Sequence, residues 1–309
     1  MTSVAVVIPC HSADRWDLLL GAIASAQAQQ PAEVIVVVDH NPALLDRLQV
    51  AVGVTVLANR YTRGVSGTRN TGAEHAGTEL VAFLDDDIVA APGWLDRVVA
   101  AFDDPGVVGA GSAIRPNWLR ARPRWFPDEF LWAVGGSYPG LPTSTAPVRN
   151  VWSAGMVVRR DAFLTVGGFR TEFGKVGDRM KPEDTELCLR MAAAGGRWMF
   201  VPEAVIEHAV PAGRDDLRHF VRRCWQEGRG KIAMSGLKSG EGLTSERDYA
   251  RRVLPRAFAR EVAAAARGRG GDHLRRAGAI LFGVTLAGLG AATELAAARP
   301  FRRLRAAAQ

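Results

Sequence analysis

The sequence predicts an α/β fold: a mixed, mainly parallel sheet with helices on both faces, followed by a helical C-terminal extension. Two observations predict the sheet. Short β-branched runs alternate with helix-spaced segments through the first third of the chain, and carboxylates recur where those runs end. A third observation predicts the extension, namely a charge-free apolar segment close to the end with arginines on either side.

Val4–Ile8 is a continuous β-branched run of the kind buried on both faces, and Pro9-Cys10-His11-Ser12 ends it. The start of the chain lacks a basic region before its apolar residues, so it reads as a first strand and not as a signal peptide. Asp14–Gln29 then carries helical spacing through Leu18, Leu19, Ala22, Ile23 and Ala26. Glu33–Val38 is a second buried strand that ends on Asp39, and Val54–Leu57 is a short third. Ser66–Ala76 reads as a helix opened by glycine, and Leu80–Leu84 is the fourth strand. That strand delivers Asp85, Asp86 and Asp87 just ahead of the turn Ala91-Pro92-Gly93. Such alternation implies parallel strands joined by right-handed crossovers, and ligands in such sheets collect at the strands' carboxyl ends. Asp39 and Asp85–Asp87 both belong at such ends.

Pro116–Pro147 changes character and is rich in Trp, Pro and Gly, which reads as a functional loop or lid. Its aromatics, Trp118, Trp125, Phe126, Phe130, Trp132 and Tyr138, are placed either to stack on a sugar or shelter lipid, or to pack the loop onto the domain. Ala277–Thr293 carries no charge and falls slightly short of the ~20 residues of a typical membrane span. Arg275-Arg276 before it and Arg299 with Arg302-Arg303 after it suit anchoring at a membrane surface, the alternative being a buried helix of a soluble domain. These features divide the chain into a catalytic domain over 1–215 and a basic, membrane-associated helical extension over 216–309.

Composition excludes several classes. In 309 residues, 48% apolar, only Cys10, Cys188 and Cys224 occur, without paired spacing, so zinc-ribbon and disulfide frameworks are poor readings and a reducing compartment fits. The net charge of +7 is concentrated late in the chain, for example at Arg251-Arg252, Arg267 and Arg269. Basic clusters that flank an apolar segment, without interleaved aromatics, point to anionic lipid and not to nucleic acid.

The chemistry centres on the three aspartates. Adjacent carboxylates at a strand end are costly unless a cation neutralises them, and hard divalent ions prefer oxygen ligands. A metal bound there would in turn hold the diphosphate of a nucleotide. Asp39 is suited to a base N–H or a ribose hydroxyl, or equally to capping a turn. Gly64–Asn70 is glycine-rich and includes Arg69, suited to a phosphate or base, yet it is neither a Walker loop nor a dinucleotide fingerprint. Glu183-Asp184 opens an amphipathic helix beyond the Gly-rich stretch Val166–Gly177. The pair suits a helix first turn and also a general base brought to an acceptor hydroxyl. Val201–His208 is a further strand ending on His208, either a structural histidine or a contact to metal or phosphate.

Taken together, Val6-Val7-Ile8-Pro9, Asp39, Gly64–Asn70, Asp85–Asp87, Gly167-Gly168-Phe169, Glu183-Asp184 and His208 resemble family 2 glycosyltransferases of GT-A fold, a Rossmann-like architecture. Val38–Pro42, Pro123–Pro127, Pro147–Val151 and Arg223–Arg229 are similar to a prokaryotic subgroup of glucosyl-dolichyl-phosphate glucuronosyltransferases.

The resemblance implies an inverting transferase that uses Mg²⁺ or Mn²⁺ and a nucleotide-sugar donor, a UDP-sugar with UDP-glucuronate as the candidate. Its acceptor would be a glycan or a polyprenyl-linked sugar. Pro9, His11, Asp39, Arg69, Asp85 and Asp86 would line the nucleotide, with Asp39 at the base and Asp86 at the ribose. Asp87 and His208 would serve the metal. Asp184 would be the general base and Glu183 its neighbour at the acceptor. Asp39-His40, where many members carry two acids, and Pro9-Cys10-His11, where Thr is common, depart from the family pattern. For a hexuronate carboxylate, Arg115, Arg124 and Arg149 are candidate partners. The competing readings are transfer of a neutral hexose and a non-catalytic binder of nucleotide sugars. The expected location is the cytoplasmic face of the membrane, with an anionic surface and no nucleic acid as partner.

Overall fold

The computed structural model describes residues 2–176, 179–235, 247–268 and 270–306. Gly177 and Arg269, named above, lie outside them. The chain forms two compact units. The first comprises Met1–Asn117, Pro142–Asp178 and Pro182–Ala209, and the second Trp118–Leu141, Arg179–Lys181 and Val210–Gln309.

The first unit is built on a nine-stranded sheet. Its strands are β1 (Val4–Cys10), β2 (Glu33–Val38), β3 (Thr55–Ala58), β4 (Leu80–Phe83), β5 (Ile88–Ala90), β6 (Val107–Trp118), β7 (Ala146–Val148), β8 (Met156–Arg159) and β11 (Arg197–Val210). The short strands β9 (Gly174–Val176) and β10 (Arg179–Lys181) lie outside it. The strand order is β3-β2-β1-β4-β8-β6-β11-β5, with β7 also paired to β11. The predicted parallel part is β3-β2-β1-β4. From β8 onward, the pairings β4–β8, β6–β8, β11–β5 and β11–β7 are antiparallel. The sheet is therefore mixed.

The uninterrupted apolar runs have a direct cause. Alternate residues of each strand point to opposite faces, and each face carries its own core. Val4, Val6, Ile8, Val34, Val36 and Val38 pack with Leu19 and Ile23 of α1 (Trp16–Gln27) and with Leu44 and Leu48 of α2 (Pro42–Ala51). Val7, Ile35, Val37, Val81 and Phe83 pack with Ala73 of α3 (Val65–His75) and with Leu187 and Met191 of α6 (Glu183–Ala193). α3 presses close to the sheet at Gly72, where an added Cβ would come within 2.4 Å of Val7 Cγ1. That approach seats the buried stretch Ser66–Ala73 against the strands. Between α3 and α6 the chain adds α4 (Trp94–Val99) and α5 (Arg160–Thr165).

The aromatic stretch is less irregular than its composition predicts. β6 runs on to Trp118, and Asp128–Val134 forms a 3-10 helix. Within the second unit Phe126, Phe130, Val134, Phe220, Cys224 and Ile280 form one core, with Trp118, Trp125 and Trp132 packed against it. The packing alternative therefore holds for these aromatics. Among the described residues, the α-helices of this unit are α7 (Leu217–Ser235), α8 (Leu254–Ala266) and α9 (Gly271–Ala306). Gly271–Ala297 is, among the described residues, the one stretch long and apolar enough to cross a membrane. Only 22% of its most apolar part is buried.

Candidate active site

The parallel strands β2, β1 and β4 are neighbours, so their carboxyl ends abut. Pro9 lies inside β1 opposite Val37 and is buried. His11, just beyond the strand, is exposed, and its carbonyl accepts a bond from Asn41 Nδ2 at 3.1 Å. Cys10 between them registers the convergence. Burial pushes its thiol up to about 12, and the Asp86 and Asp39 carboxylates add to the shift.

Asp39 is 7% exposed and held on several sides. Its Oδ1 accepts from Asn59 Nδ2 at 2.7 Å, and its Oδ2 accepts from the Gly64 amide at 2.9 Å. His40 Nδ1 lies 2.9 Å from Oδ1. The carboxylate thus fixes the start of the glycine-rich loop from which α3 begins.

The three aspartates meet cations supplied by the chain itself. Arg69, on α3, is 2% exposed; its Nη2 donates to Asp85 Oδ1 at 2.6 Å, and its Nη1 lies 3.3 Å from Glu183 Oε1. Arg15 Nη1 donates to Asp86 Oδ1 at 2.7 Å and lies 3.0 Å from Asp87 Oδ2. Asp87 Oδ1 faces His208 Nε2 at 3.3 Å. Antiparallel pairing of β5 with β11, with Ile88 opposite His208, makes that contact. Burial opposes the charge on both arginines, but the surrounding carboxylates outweigh it and raise both above the ordinary guanidinium value. For Asp86, burial is the largest influence and raises its proton affinity; Arg15 pulls it down, while Asp87 and Asp85 push it up. Among the described residues, Arg15 and Arg69 thus supply guanidinium charge to the acidic cluster. Among the described residues, no group of three or more His, Cys, Asp or Glu side chains converges as a complete metal shell.

Glu183 and Asp184 form the first turn of α6. Asp184 Oδ1 accepts from the Thr185 amide at 2.6 Å. Burial, reinforced by Asp184 and opposed by Arg69, pushes Glu183 up to about 7. The loop Gly167-Gly168-Phe169 is tied to α3 through Asn70, whose Oδ1 accepts from the Phe169 amide and whose Nδ2 donates to the Phe169 carbonyl, both at 2.8 Å. Gly168 has φ of +63°, and a Cβ there would stand 2.6 Å from Asn70 Oδ1. Arg190 of α6 bonds the Gly168 carbonyl at 2.7 Å, so the loop is pinned from both helices.

The structure therefore brings Asp39, Arg69, Asp85, Asp86, Asp87, Glu183, Asp184 and His208 into one unit around the sheet's carboxyl edge. Arg69 sits against Asp85 and Glu183, away from the bonds that hold Asp39. Sequence reasoning passed over Arg15 and Asn59. Arg15 carried a usable signal: it follows the first strand's end by a few residues, at the edge where charged ligands gather.

This fold and this concentration of charge at the carboxyl edge are those of a GT-A glycosyltransferase. The chain belongs to glycosyltransferase family 2: the family model "Glycosyl transferase family 2" matches residues 5–167. It is 32% identical over 240 residues to the glucosyl-dolichyl phosphate glucuronosyltransferase of Haloferax volcanii, covering 75% of this chain and 77% of that protein. It is 31% identical over 200 residues to the pre-mycofactocin glycosyltransferase of Mycobacterium tuberculosis, covering 61% of this chain but 39% of that one. Among solved structures it resembles the Pyrobaculum calidifontis mannosyltransferase PcManGT in complex with GDP-Man and Mn²⁺. There the TM-score is 0.62 at 18% identity, over 94% of this chain and 87% of that one. It also resembles GalNAc-T7 with UDP, GalNAc and Mn²⁺, at a TM-score of 0.54 and 16% identity, over 81% and 54% of the two chains.

Proposed function

We propose that this glycosyltransferase is inverting and metal-dependent, and that it moves a sugar from a UDP-sugar, UDP-glucuronate first, to a hydroxyl of a lipid-linked glycan at the cytoplasmic face of a membrane. The observation that carries the reading is the spacing of charge along one edge: Asp39 at one end, Asp85–Asp87 with His208 between, and Glu183-Asp184 reached through Arg69. The donor assignment rests on the Haloferax relative.

Asp39 and Asp86 are suited to accept hydrogen bonds from a base and a ribose. Asp39 has about four lone-pair sites, of which the groups around it engage three. The Asp87–His208 pair fits a divalent cation, because a carboxylate oxygen and an imidazole nitrogen already face each other at 3.3 Å. A mixed oxygen and nitrogen set suits Mn²⁺ better than Mg²⁺, which prefers oxygen alone. Donor phosphate oxygens would supply further ligands. Bound there, the ion neutralises charge on the departing nucleoside diphosphate.

On the acceptor side Asp184 takes the proton of the attacking hydroxyl, and a single displacement inverts the anomeric centre. Glu183 is the second reading for the base, favoured by a proton affinity close to neutrality. Membrane association is supported by α9, whose Leu281, Phe282, Val284 and Leu289 are exposed.

The test is nucleoside diphosphate release from a panel of nucleotide sugars, with Mn²⁺ or chelator and a glycolipid acceptor. The expected result is Mn²⁺-dependent turnover of UDP-glucuronate, lost in Asp87→Ala and reduced ~100-fold or more in Asp184→Asn. Turnover confined to a neutral hexose donor would replace the glucuronate assignment. Activity retained in Asp184→Asn but lost in Glu183→Gln would transfer the base to Glu183.

A further inference from the structure

We propose that Arg15 is a built-in counter-cation of the acidic cluster: it neutralises Asp86 and Asp87 when no metal is bound and gives up Asp87 when one binds. The inference rests on the reading of Asp87 as a metal ligand and adds that metal binding at this site is an exchange of cations.

The contacts make the case. A single nitrogen, Arg15 Nη1, bridges Asp86 Oδ1 at 2.7 Å and Asp87 Oδ2 at 3.0 Å. Both carboxylates are almost wholly enclosed, with side chains 6% and 3% exposed. Two enclosed carboxylates side by side repel each other and lack the water that would screen them, so both stay ionised only with a cation between them. With His208 on Asp87's other oxygen, Arg15 supplies that charge without metal.

Arg15 is also built to leave. Its side chain is 30% exposed, against 3% for Arg69. It stands at the end of a one-turn 3-10 segment, Ala13–Arg15, capped by the Ser12 hydroxyl. Arg69, by contrast, extends from the middle of a buried helix. The two arginines divide the cluster accordingly: Arg69 is a fixed partner of Asp85, and Arg15 an exchangeable partner of Asp86 and Asp87. An ion that enters between Asp87 Oδ1 and His208 meets the guanidinium held on Asp87 Oδ2, and repulsion between the two cations loosens that guanidinium and weakens the ion's affinity for the protein alone. Donor phosphates, which carry further ligands for the ion, compensate for that loss. The site is thereby biased toward taking metal together with nucleotide.

The experiment uses the full chain without nucleotide. Mn²⁺ is titrated by the loss of its free EPR signal, for the wild type and for Arg15→Gln, Arg15→Lys and Asp87→Ala. Melting temperatures are measured in chelator and in excess Mn²⁺. Arg15→Gln is expected to bind Mn²⁺ about tenfold more tightly than the wild type, with Arg15→Lys between them. Its melting temperature should fall in chelator and recover to the wild-type value in Mn²⁺, because the metal supplies the missing charge. A purely structural arginine would lower stability equally in both conditions and leave affinity unchanged or weaker; that pattern overturns the proposal. If Asp87→Ala binds Mn²⁺ as the wild type does, the metal reading itself fails, and the counter-cation with it. Binding that Asp87→Ala abolishes but Arg15→Gln leaves untouched overturns the counter-cation alone.

Discussion

The guanidinium of Arg69 stands 3.3 Å from the Glu183 carboxylate across 114 positions of sequence. The same guanidinium holds Asp85 at 2.6 Å. One buried side chain therefore sets the separation between the acidic strand end and the first turn of α6. Its Nε, buried and without a hydrogen-bond partner, shows that the group is placed for its two forward-facing nitrogens.

Replacing Arg69 by methionine keeps the volume and removes the charge. Asp85 and Glu183 then face each other without a cation, and stability in urea should fall by about 3 kcal/mol. Lysine should recover only part of this, since one ammonium cannot span two carboxylates as a guanidinium does. Wild-type stability in Arg69→Met would mean that the two ion pairs contribute nothing.

The raised proton affinity of Glu183 gives a pH dependence with a definite sign. Its folded value, about 7, lies above its ordinary 4.5. The folded state therefore holds the proton more tightly, and the stabilisation from protonated Glu183 is complete below the ordinary value. It is lost as pH rises, and the loss is complete above about 7. Glu183→Gln, which mimics the protonated form, should gain stability relative to the wild type across this window. Melting curves from pH 4 to pH 8 read the difference between the two proteins. A constant difference across the range would show that Glu183 titrates in its ordinary place.

Much of this architecture was legible in the sequence, for an identifiable reason. Strands buried on both faces, such as Val4–Cys10 and Glu33–Val38, announce themselves as unbroken β-branched runs, and a carboxylate that ends such a run stands out. Of the antiparallel half only β11 was legible, through Val201–His208. β8 is four residues long, and β6 mixes glycine, serine and proline, so neither carries a periodic pattern. Pairings within the site were equally hidden. The contact of Arg15 with Asp86 spans 71 positions, and which guanidinium serves which carboxylate depends on strand order, not on spacing. The aromatic stretch left two readings open because a Trp- and Pro-rich composition is shared by a lid and by a small core, and here Phe126, Phe130 and Phe220 make a core.

The outward face of α9 carries the last prediction. Leu274, Leu281, Phe282, Val284, Leu289 and Leu295 are all exposed. At 3.6 residues per turn they fall within an arc of roughly 160°. Thr285 and Thr293, on the same stretch, return their hydroxyls to helix carbonyls, Leu281 O at 2.9 Å and Gly290 O at 2.7 Å. Their donors are thus satisfied without water, as a lipid-facing surface requires. The opposite face is occupied: Ile280 lies in the second unit's core, and Glu294 pairs with Arg229 of α7 at 2.9 Å. A helix committed on one side and apolar on the other suits lying in the membrane surface with its open face inward, while flanking arginines meet anionic headgroups. Leu281→Asp with Phe282→Asp should therefore abolish flotation with anionic vesicles and leave turnover of a water-soluble acceptor unchanged. Vesicles of neutral lipid should retain the wild type more weakly than anionic ones at low salt. If the double variant floats as well as the wild type, the open face of α9 is not what meets the membrane. If the wild type forms a concentration-dependent dimer that the double variant lacks, the face belongs instead to a second copy of the chain.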